Sequence, residues 1–418
     1  MLKTSIAFVG MTHLGLISSI CSATKSKNIL CIDKSVQLIE KLKKGFFPIE
    51  EPGLNSTYNK IKQNITFSSD FSEINKCSIV YISVDIATDN KGNSNLEEIE
   101  KYLNTISKIV SKETIVVILS QVPPGFTRKY IKKFNYLFYQ VETLVFGEAI
   151  NRSLYPERYI VGCSDKNNIP KKYHDYLKSY NCPIFFMRYE SAELTKISIN
   201  LFLSSSVTLT NFLSEICELI NADFHEISPT LRLDKRIGKF AYINPGLGIS
   251  GGNLERDLIS ISNLAKSLKL SPKLIETWID GSKKRKNWTF NIISNFYKKH
   301  LNKVKKKILL CGLSYKPNTH SIKNSPSILF LQKIKKYLNF DICIYDPLIK
   351  NLPSSYKNIT FIENLCVKDF DILIIMNTSN DFKKINSQNL MDIELVIDPF
   401  RVIESNRVSN SRYFTLGS

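Results

Sequence analysis

Short apolar runs alternate with helix-period segments along the first third of this 418-residue chain, and this alternation is what most restricts the folds open to it. Strands are predicted at residues 6–9, 28–32, 78–84 and 114–119, and helical spacing appears between them, as at 35–44. The nearly continuous hydrophobicity of these runs is typical of a parallel sheet that is covered on both faces. The pattern therefore predicts a doubly wound α/β domain.

A second alternation of the same kind occupies the end of the chain. Its strand-like runs lie at 307–313, 341–345, 371–376 and 394–398. Between the two alternations, a segment from Ser191 to about Asn221 contains neither Pro nor Gly and predicts one long helix, and further helices are expected from Leu254 to about His300. We expect an α/β protein with two doubly wound Rossmann-like domains, joined by a long central helix and a helical dimerisation region. The predicted domains are 1–190, 191–300 and 301–418.

Composition excludes several classes of protein. A hydrophobic content of 43% and a charged content of 23% are ordinary for a globular chain. We see no run of about 18 apolar residues, so no membrane span is predicted. The N-terminus enters a strand pattern without the layout of a signal peptide. The nine cysteines are scattered without Cys-x-x-Cys spacing, which favours reduced thiols in the cytoplasm and predicts no metal site.

The formal net charge of +19 is compatible with nucleic acid, anionic lipid or small anionic ligands as partners. The densest basic run is Ser282-Lys-Lys-Arg-Lys286, and no nucleic-acid motif accompanies it. We interpret the charge as solvated helix faces that also attract diphosphate ligands. A role in binding nucleic acid is the least favoured alternative.

A glycine motif follows the first predicted strand and opens a helix. Gly10 and Gly15 match the first and third glycines of a dinucleotide fingerprint, whereas Thr12 replaces the second. A β-branched residue there is expected to push a cofactor outward or to weaken its binding. Asp33, at the end of the second strand, stands where an acid bonds the ribose hydroxyls, which favours NAD over NADP. An ordinary tight turn between strand and helix is the alternative.

Several further motifs occur in a fixed order. They are Gly45-Phe-Phe-Pro-Ile-Glu-Glu-Pro-Gly-Leu54, Glu193-Leu-Thr-Lys196-Ile-Ser-Ile-Asn200, Gly246-Leu-Gly-Ile-Ser-Gly-Gly-Asn253-Leu-Glu-Arg-Asp257 and Gly312-Leu-Ser-Tyr-Lys316. Together they resemble the UDP-glucose/GDP-mannose dehydrogenase family, from Gly10 to Asp398. Members of that family oxidise the 6-hydroxyl of a nucleotide sugar twice with two NAD. The intermediate aldehyde is held on a cysteine, and the resulting thioester is hydrolysed.

The resemblance implies roles for individual residues. Lys196 and Asn200, four residues apart on one helical face, would hold a sugar hydroxyl and stabilise the alkoxide. Arg236 would reach the site of a neighbouring subunit, so the protein would be at least a homodimer. The remaining implied site residues are Glu142 and Asp257 for catalysis, Lys323 for the cofactor, and Leu144, Gly251, Lys316 and Arg401 for the nucleotide-diphosphate sugar.

Other positions depart from the family pattern, and three of these departures concern the covalent step. Asn253 stands at the cysteine, Gln121 at the threonine that helps order water, and Phe146 at a second glutamate. Gly252 replaces a serine. Asp398-Pro-Phe400-Arg401 stands where Asp-Gly-Arg is usual, so either the arginine has moved by one place or its contact is lost. An asparagine amide cannot add to an aldehyde as a thiolate does.

Our leading hypothesis is an NAD-dependent oxidoreductase that carries out a single two-electron oxidation of a nucleotide sugar. A catalytically silent or regulatory relative that binds a nucleotide sugar is the first alternative. Complete oxidation to a uronate without a thioester is the second. The sequence does not specify the base, the sugar or the carbon oxidised.

Overall fold

The computed structural model describes residues 2–87, 89, 94–298, 306–336, 340–353, 356, 359–385, 390, 392–403 and 412–418. The chain divides into two compact units, Met1–Ile199 (unit 1) and Asn200–Ser418 (unit 2). Each unit contains one sheet of Rossmann type.

Unit 1 contains an eight-stranded sheet in the order β3-β2-β1-β4-β5-β6-β7-β8. Its strands are β1 Leu2–Val9, β2 Ser26–Ile32, β3 Ile65–Ser68, β4 Ile79–Ile82, β5 Ile115–Ile118, β6 Tyr136–Gln140, β7 Tyr159–Cys163 and β8 Ile184–Arg188. The four predicted strands are confirmed as β1, β2, β4 and β5, and they are parallel. Only the β6–β7 pairing among the described strands of this sheet is antiparallel.

Helices cover both faces of this sheet. They are α1 His13–Ser22, α2 Val36–Lys43, α3 Leu54–Ile61, α4 Glu97–Ile109, α5 Ala149–Leu154 and α6 Lys171–Lys178. One core packs α1 and α6 against the sheet, and a second core on the other face contains the apolar side of α4. The predicted helix at 35–44 is α2, which begins because the Ser35 hydroxyl accepts a hydrogen bond from the Leu38 N–H.

The predicted long helix is α7, Tyr189–Ile220, and it supplies residues to both units. By length and mean hydropathy alone α7 could cross a membrane, although no membrane span is predicted from the apolar runs of the sequence. In its most apolar window, 33% of the residues are buried. It also buries the polar side chains of Asn200, Asn211 and Ser214, each of which has a hydrogen-bond partner in unit 2. This is the pattern of a helix packed on protein, because buried polar groups are paired there.

Unit 2 contains a six-stranded parallel sheet in the order β11-β10-β9-β12-β13-β14. Its strands are β9 Lys306–Cys311, β10 Phe340–Tyr345, β11 Ile359–Phe361, β12 Ile372–Ile375, β13 Leu395–Ile397 and β14 Arg412–Phe414. Its helices after α7 are α8 Phe224–Leu233, α9 Asn253–Ser267, α10 Lys273–Arg285, α11 Trp288–Tyr297 and α12 Pro326–Ile334. The four predicted strands are confirmed as β9, β10, β12 and β13. The end of the predicted helical stretch, at 299–300, lies outside the described residues.

The basic run at the end of α10 is not a uniformly solvated face, and that part of our expectation is wrong. Lys283 and Lys284 are exposed, but Arg285 and Lys286 are buried. The Arg285 guanidinium donates to the Glu218 carboxylate at 2.7 Å, which offsets the cost of burying its charge.

All nine cysteines are free thiols, and most are buried. Burial raises the pKa of Cys21 and of Cys31 to about 12. These two thiols are therefore protonated and unreactive at neutral pH. Cys366 is exposed.

Candidate active site

The turn after β1 has the geometry of a dinucleotide-binding turn. Gly10 has φ +96°, and a Cβ there would lie 2.2 Å from Val84 Cγ1. A Cβ on Gly15 would lie 1.8 Å from the Gly10 carbonyl oxygen, so α1 approaches the strand end as closely as only glycine permits. The N-terminus of α1 therefore adjoins the carboxyl end of β1, where a pyrophosphate is bound in such folds.

Thr12 is attached to the neighbouring loop after β4. Its hydroxyl donates to the Ser83 carbonyl at 3.3 Å and accepts from the Asp85 N–H at 3.1 Å. Its φ of −77° needs no glycine. The two hydrogen bonds fix the direction of its side chain, so the fingerprint's second glycine has been replaced by a residue that ties the turn to the sheet.

Asp33 follows β2 and is buried. One carboxylate oxygen accepts from the Met11 N–H at 2.8 Å and the other from the Ser35 N–H at 2.9 Å. A carboxylate has about four acceptor positions, so each oxygen retains one for ribose hydroxyls. The strand end, the two glycines and this acid fit the adenosine half of NAD.

Glu142 and Lys196 interact electrostatically within unit 1. Burial raises the pKa of Glu142, whereas the Thr143 N–H, which donates to its carboxylate at 2.6 Å, and the positive charge of Lys196 oppose that rise. Lys196 is half-buried. A carboxylate with a raised pKa is a better proton acceptor than an ordinary one. Leu144, two residues further on, packs against the core of unit 1.

Glu193 opens the motif that contains Lys196, and the resemblance implied no role for it. It is fully buried, and its carboxylate accepts from the Gly125 N–H at 2.5 Å and the Thr127 N–H at 2.8 Å. It thereby fixes the loop after β5, which contains the partly exposed Gln121. Its position three residues before Lys196 in an apolar helix was the available signal.

Phe146, which the resemblance aligns with a second glutamate of the family, makes an aromatic contact. Its ring lies 4.2 Å from that of His13, centroid to centroid. His13 Nε2 is 3.2 Å from Glu51 Oε2, and Glu51 in turn accepts from the Ala149 N–H at 2.8 Å. The aromatic replacement is therefore packed against the dinucleotide turn.

In unit 2 the structure brings Asn200 and Asp257 together. The Asn200 amide donates to Asp257 Oδ2 at 2.5 Å, and both residues are buried. Arg256 Nε contacts the other carboxylate oxygen at 2.9 Å. Asn253 is exposed and is the first residue of α9, one helical turn before Asp257. Asn253, which the resemblance aligns with the family's cysteine, is thus accessible, and Asp257, bonded to Asn200, follows one helical turn later in α9.

The glycine loop before Asn253 is closely packed. A Cβ on Gly248 would lie 2.6 Å from the Ser282 carbonyl oxygen, and a Cβ on Gly251 would lie 2.8 Å from the Tyr315 ring. A Cβ on Gly252 would lie 3.0 Å from Lys323 Cδ and 3.3 Å from its Nζ. The two departures at 252 and 323 are therefore in contact, since the lysine chain lies where a serine side chain would be.

The other implied substrate residues have different surroundings. The Lys316 ammonium lies 5.8 Å from the centre of the Tyr315 ring. The displaced Arg401 forms a bidentate pair with Asp223, at 2.8 and 2.9 Å. Arg236 is highly exposed and pairs with Asp234 at 2.7 Å.

Comparison with known proteins places this geometry in a family. Models of three domains of the UDP-glucose/GDP-mannose dehydrogenase family match the chain: the NAD binding domain at residues 4–178, the central domain at 190–282 and the UDP binding domain at 309–405. The UDP-glucose 6-dehydrogenase of Rickettsia bellii is 26% identical over 439 residues, covering 99% of each chain. UDP-glucose 6-dehydrogenase TuaD of Bacillus subtilis is 28% identical over 356 residues, covering 82% of this chain and 76% of that protein.

Solved structures show the same fold. A UDP-glucose dehydrogenase from Pyrobaculum islandicum superposes with a TM-score of 0.84 at 19% identity, covering 99% of this chain and 97% of the other. A UDP-D-ManNAc dehydrogenase from Pyrococcus horikoshii superposes with a TM-score of 0.83 at 18% identity, covering 99% of both. With its NAD binding domain, central domain and UDP binding domain all matched, the chain belongs to the UDP-glucose/GDP-mannose dehydrogenase family of NAD-dependent oxidoreductases that act on a CH–OH group.

Proposed function

We propose that this protein oxidises a nucleotide-diphosphate sugar once, by two electrons, and releases a carbonyl product. The observation that carries the proposal is the site of Asn253: an exposed amide replaces the thiol, while the Asn200–Asp257 pair behind it is kept. An amide can hydrogen-bond a carbonyl oxygen, but it forms no thiohemiacetal. The second oxidation thus lacks its covalent intermediate.

The residues that remain suffice for the first oxidation. The turn after β1 and Asp33 would hold NAD, which would supply the hydride acceptor for the carbon that bears the hydroxyl. Glu142, whose pKa is raised by burial, takes the hydroxyl proton. In the roles that the resemblance implies, the Lys196 ammonium and the Asn200 amide would stabilise the alkoxide. Within unit 2, Asp257 orients that amide by accepting its hydrogen bond.

The stoichiometry of NADH tests this function. Purified protein is incubated with NAD and a panel of UDP-, GDP- and dTDP-sugars, and NADH formed and sugar consumed are both measured. One NADH per sugar is expected. Two per sugar would contradict the proposal and would favour complete oxidation to a uronate through a hydrated aldehyde.

Restoring the thiol sharpens the result. In the Asn253→Cys variant we expect an acyl-enzyme to be trappable by mass spectrometry and the NADH yield to exceed one per sugar. Each sugar that reaches the acyl-enzyme has given two NADH, because the thioester forms only after the second hydride transfer. Turnover should then stall at the acyl-enzyme, because Gln121 and Phe146 still replace the residues that serve hydrolysis. Asn253→Ser is the matched control, since a hydroxyl is a far weaker nucleophile than a thiolate.

A catalytically silent relative that binds a nucleotide sugar is the second candidate. Thr12, bound to Ser83 and Asp85, occupies the place of a fingerprint glycine, and Arg401 is engaged by Asp223. If no sugar of the panel yields NADH while calorimetry still detects nucleotide-sugar binding, this candidate replaces the first.

We also propose a homodimer that acts in the cytoplasm. Apolar side chains on the outer surface of α7 and in the Arg236 segment are exposed: Phe202, Leu209, Phe212, Leu219, Leu233 and Phe240. Phe202, Leu209, Phe212 and Leu219 recur at helical spacing along α7, and an exposed apolar helix face of this kind marks protein contacts. Light scattering that returns the mass of one chain would contradict the dimer.

A further inference from the structure

A buried lysine contacts the loop that precedes Asn253. Lys286, the last residue of the basic run, is 4% exposed, and its Cγ lies 3.3 Å from where a Cβ on Gly248 would be. Burial lowers the pKa of Lys286, which Glu255, with a carboxylate oxygen 3.9 Å from the ammonium, opposes. Burying an ammonium costs several kcal/mol unless its contacts offset that cost. The contacts of this lysine therefore need a structural reason.

The principal contact of the Lys286 ammonium is Asn324. The ammonium donates to Asn324 Oδ1 at 2.5 Å. The amide nitrogen of Asn324 donates in turn to the Ile249 carbonyl at 3.3 Å and to the Gly251 carbonyl at 3.2 Å. A two-residue bridge thus runs from the end of α10 to the backbone of the glycine loop.

Residue 324 must both accept and donate in this bridge. A carboxylate at this position could accept from the lysine but could not donate to two carbonyls. Asn324 does both, and its φ of +55° lies in the left-handed region that asparagine enters more readily than most residues. Asn324 is therefore matched to the buried lysine and to the loop.

The bridge complements other contacts of the same loop. The Ser282 hydroxyl accepts from the Ile249 N–H at 2.8 Å, and Asn211 Oδ1 accepts from the Gly246 N–H at 2.8 Å. The Asn324 amide holds the carbonyls of the loop's last part, next to Asn253. We propose that Lys286 and Asn324 are positioning residues that hold the Ile249–Gly251 backbone, and through it Asn253, in place for the oxidation proposed above.

Hydrogen exchange measured by mass spectrometry on the full chain tests this proposal, which rests on the proposed function but has its own readout. In Lys286→Met, amide exchange in peptides covering 246–253 should accelerate about tenfold or more, since local opening becomes easier. Exchange in β9 and β12 should not change. Lys284→Met, on the exposed side of the same helix, is the matched control and should leave the loop unchanged.

Asn324→Asp gives a second test that does not depend on removing the buried charge. The aspartate still accepts from Lys286 and pairs with it, so the fold is retained, but both donor bonds to the loop are lost. Faster loop exchange and a fall in kcat of about tenfold, with KM for the sugar changed much less, are expected for a displaced reaction centre. Unchanged loop exchange in Asn324→Asp would overturn the proposal.

The two proposals can fail separately. If the wild-type protein forms no NADH with any sugar, the proposed function fails, and the exchange measurement still decides whether the bridge holds the loop. If the wild-type protein is active and both variants keep its kcat and its loop exchange, the positioning role fails and the proposed function stands.

Discussion

In both units the first strand of the sheet ends at a glycine with positive φ, Gly10 in unit 1 and Gly312 in unit 2. Each glycine N–H donates to the carbonyl at the end of the second strand, at 2.8 Å to Ile32 and at 2.9 Å to Tyr345. The next N–H then donates to the acid that follows that strand, Asp33 or Asp346. The same strand-end geometry is therefore built twice.

The two acids use their oxygens differently. Asp33 accepts two backbone N–H groups, one on each oxygen. Asp346 accepts four, from Leu313, Ser314, Leu348 and Ile349. The acid of unit 1 keeps acceptor positions for a ligand, whereas the acid of unit 2 is saturated by its own turn.

The segments after the glycines differ as well. In unit 1, α1 begins at His13 and presents its N-terminus at the strand end. In unit 2, helix α12 does not begin until Pro326, and the intervening loop carries Lys316 and Lys323. One strand end offers backbone N–H groups and an acid, and the other offers lysines. The segment after the first strand therefore decides which groups a Rossmann sheet offers to a nucleotide.

The largest effect is expected for Gly15→Ala in unit 1. A Cβ there would lie 1.8 Å from the Gly10 carbonyl, and backbone cannot move aside cheaply. We expect a loss of about 3 kcal/mol or more in the free energy of unfolding, together with loss of NAD binding. Urea titration and calorimetry measure the two.

Gly281→Ala is the control for that variant. It lies within α10, and its Cβ would make only an ordinary contact, 3.6 Å from Thr208 Cγ2. A gain of about 0.5–1 kcal/mol is expected from reduced chain entropy. If Gly15→Ala changes the free energy of unfolding as little as Gly281→Ala does, residue 15 tolerates a Cβ. The close approach of α1 to the end of β1 would then be contradicted.

The next effect separates the two acids directly. Asp346→Asn replaces an oxygen that accepts two N–H groups and should lower the free energy of unfolding by about 2–5 kcal/mol, since each buried unsatisfied donor costs about 1–3 kcal/mol. Asp33→Asn should lower it by only about 1–3 kcal/mol but weaken NAD binding about tenfold. If Asp346→Asn and Asp33→Asn lowered the free energy of unfolding equally, and Asp33→Asn bound NAD as tightly as the wild-type protein, the proposed difference between the two acids would be contradicted.

A smaller effect is expected where the loop of unit 2 meets Asn253. Gly252→Ser would crowd the Lys323 chain, which is flexible at that end, so a cost of about 0.5–1.5 kcal/mol is expected. In the Lys323→Ala background the same change should cost almost nothing. Thermal unfolding of the four members of this double-mutant cycle measures the coupling, and strict additivity would show that the two departures are independent.

The smallest effect on stability is expected for Glu142, a carboxyl group of unit 1 that burial removes from water. The pKa of Glu142 is raised in the folded protein, so the folded state binds this proton more tightly than the unfolded state does. The resulting stability is present below the ordinary glutamate pKa and is lost as pH rises through the folded pKa. Glu142→Gln should therefore raise Tm at pH 7.5 and bring no such gain near pH 4. A gain that is equal at both pH values would contradict the burial of this charge.

Sequence patterns predicted the strands whose apolar residues are continuous. The runs that became β4, β5 and β12 contain only apolar or aromatic residues. Others escaped because their signal is weaker: apolar and polar residues alternate in the four residues of β3, and β8 is only partly buried. The glycine positions were predictable because a tight turn restricts the backbone locally.

The candidate site was only partly predictable. The resemblance named Asn200 and Asp257 separately, and the structure showed them bonded across 57 positions of sequence. It also showed that Gly252 lies against the Lys323 side chain, and that Asn324 bonds to Lys286 at the end of α10. None of these pairings has a local signature, because each depends on which segments the fold brings together.

By itself, the sequence determined the fold class, the order of the motifs and the absence of a cysteine at position 253, since periodicity and residue identity are local properties. Tertiary structure alone decided that Lys284 is solvated while Lys286, two residues later, is buried against the glycine loop. The two residues have the same chemistry, and their different roles come from what packs against each side of α10. Burial sets the energetic cost of a charge, and only the folded chain determines burial.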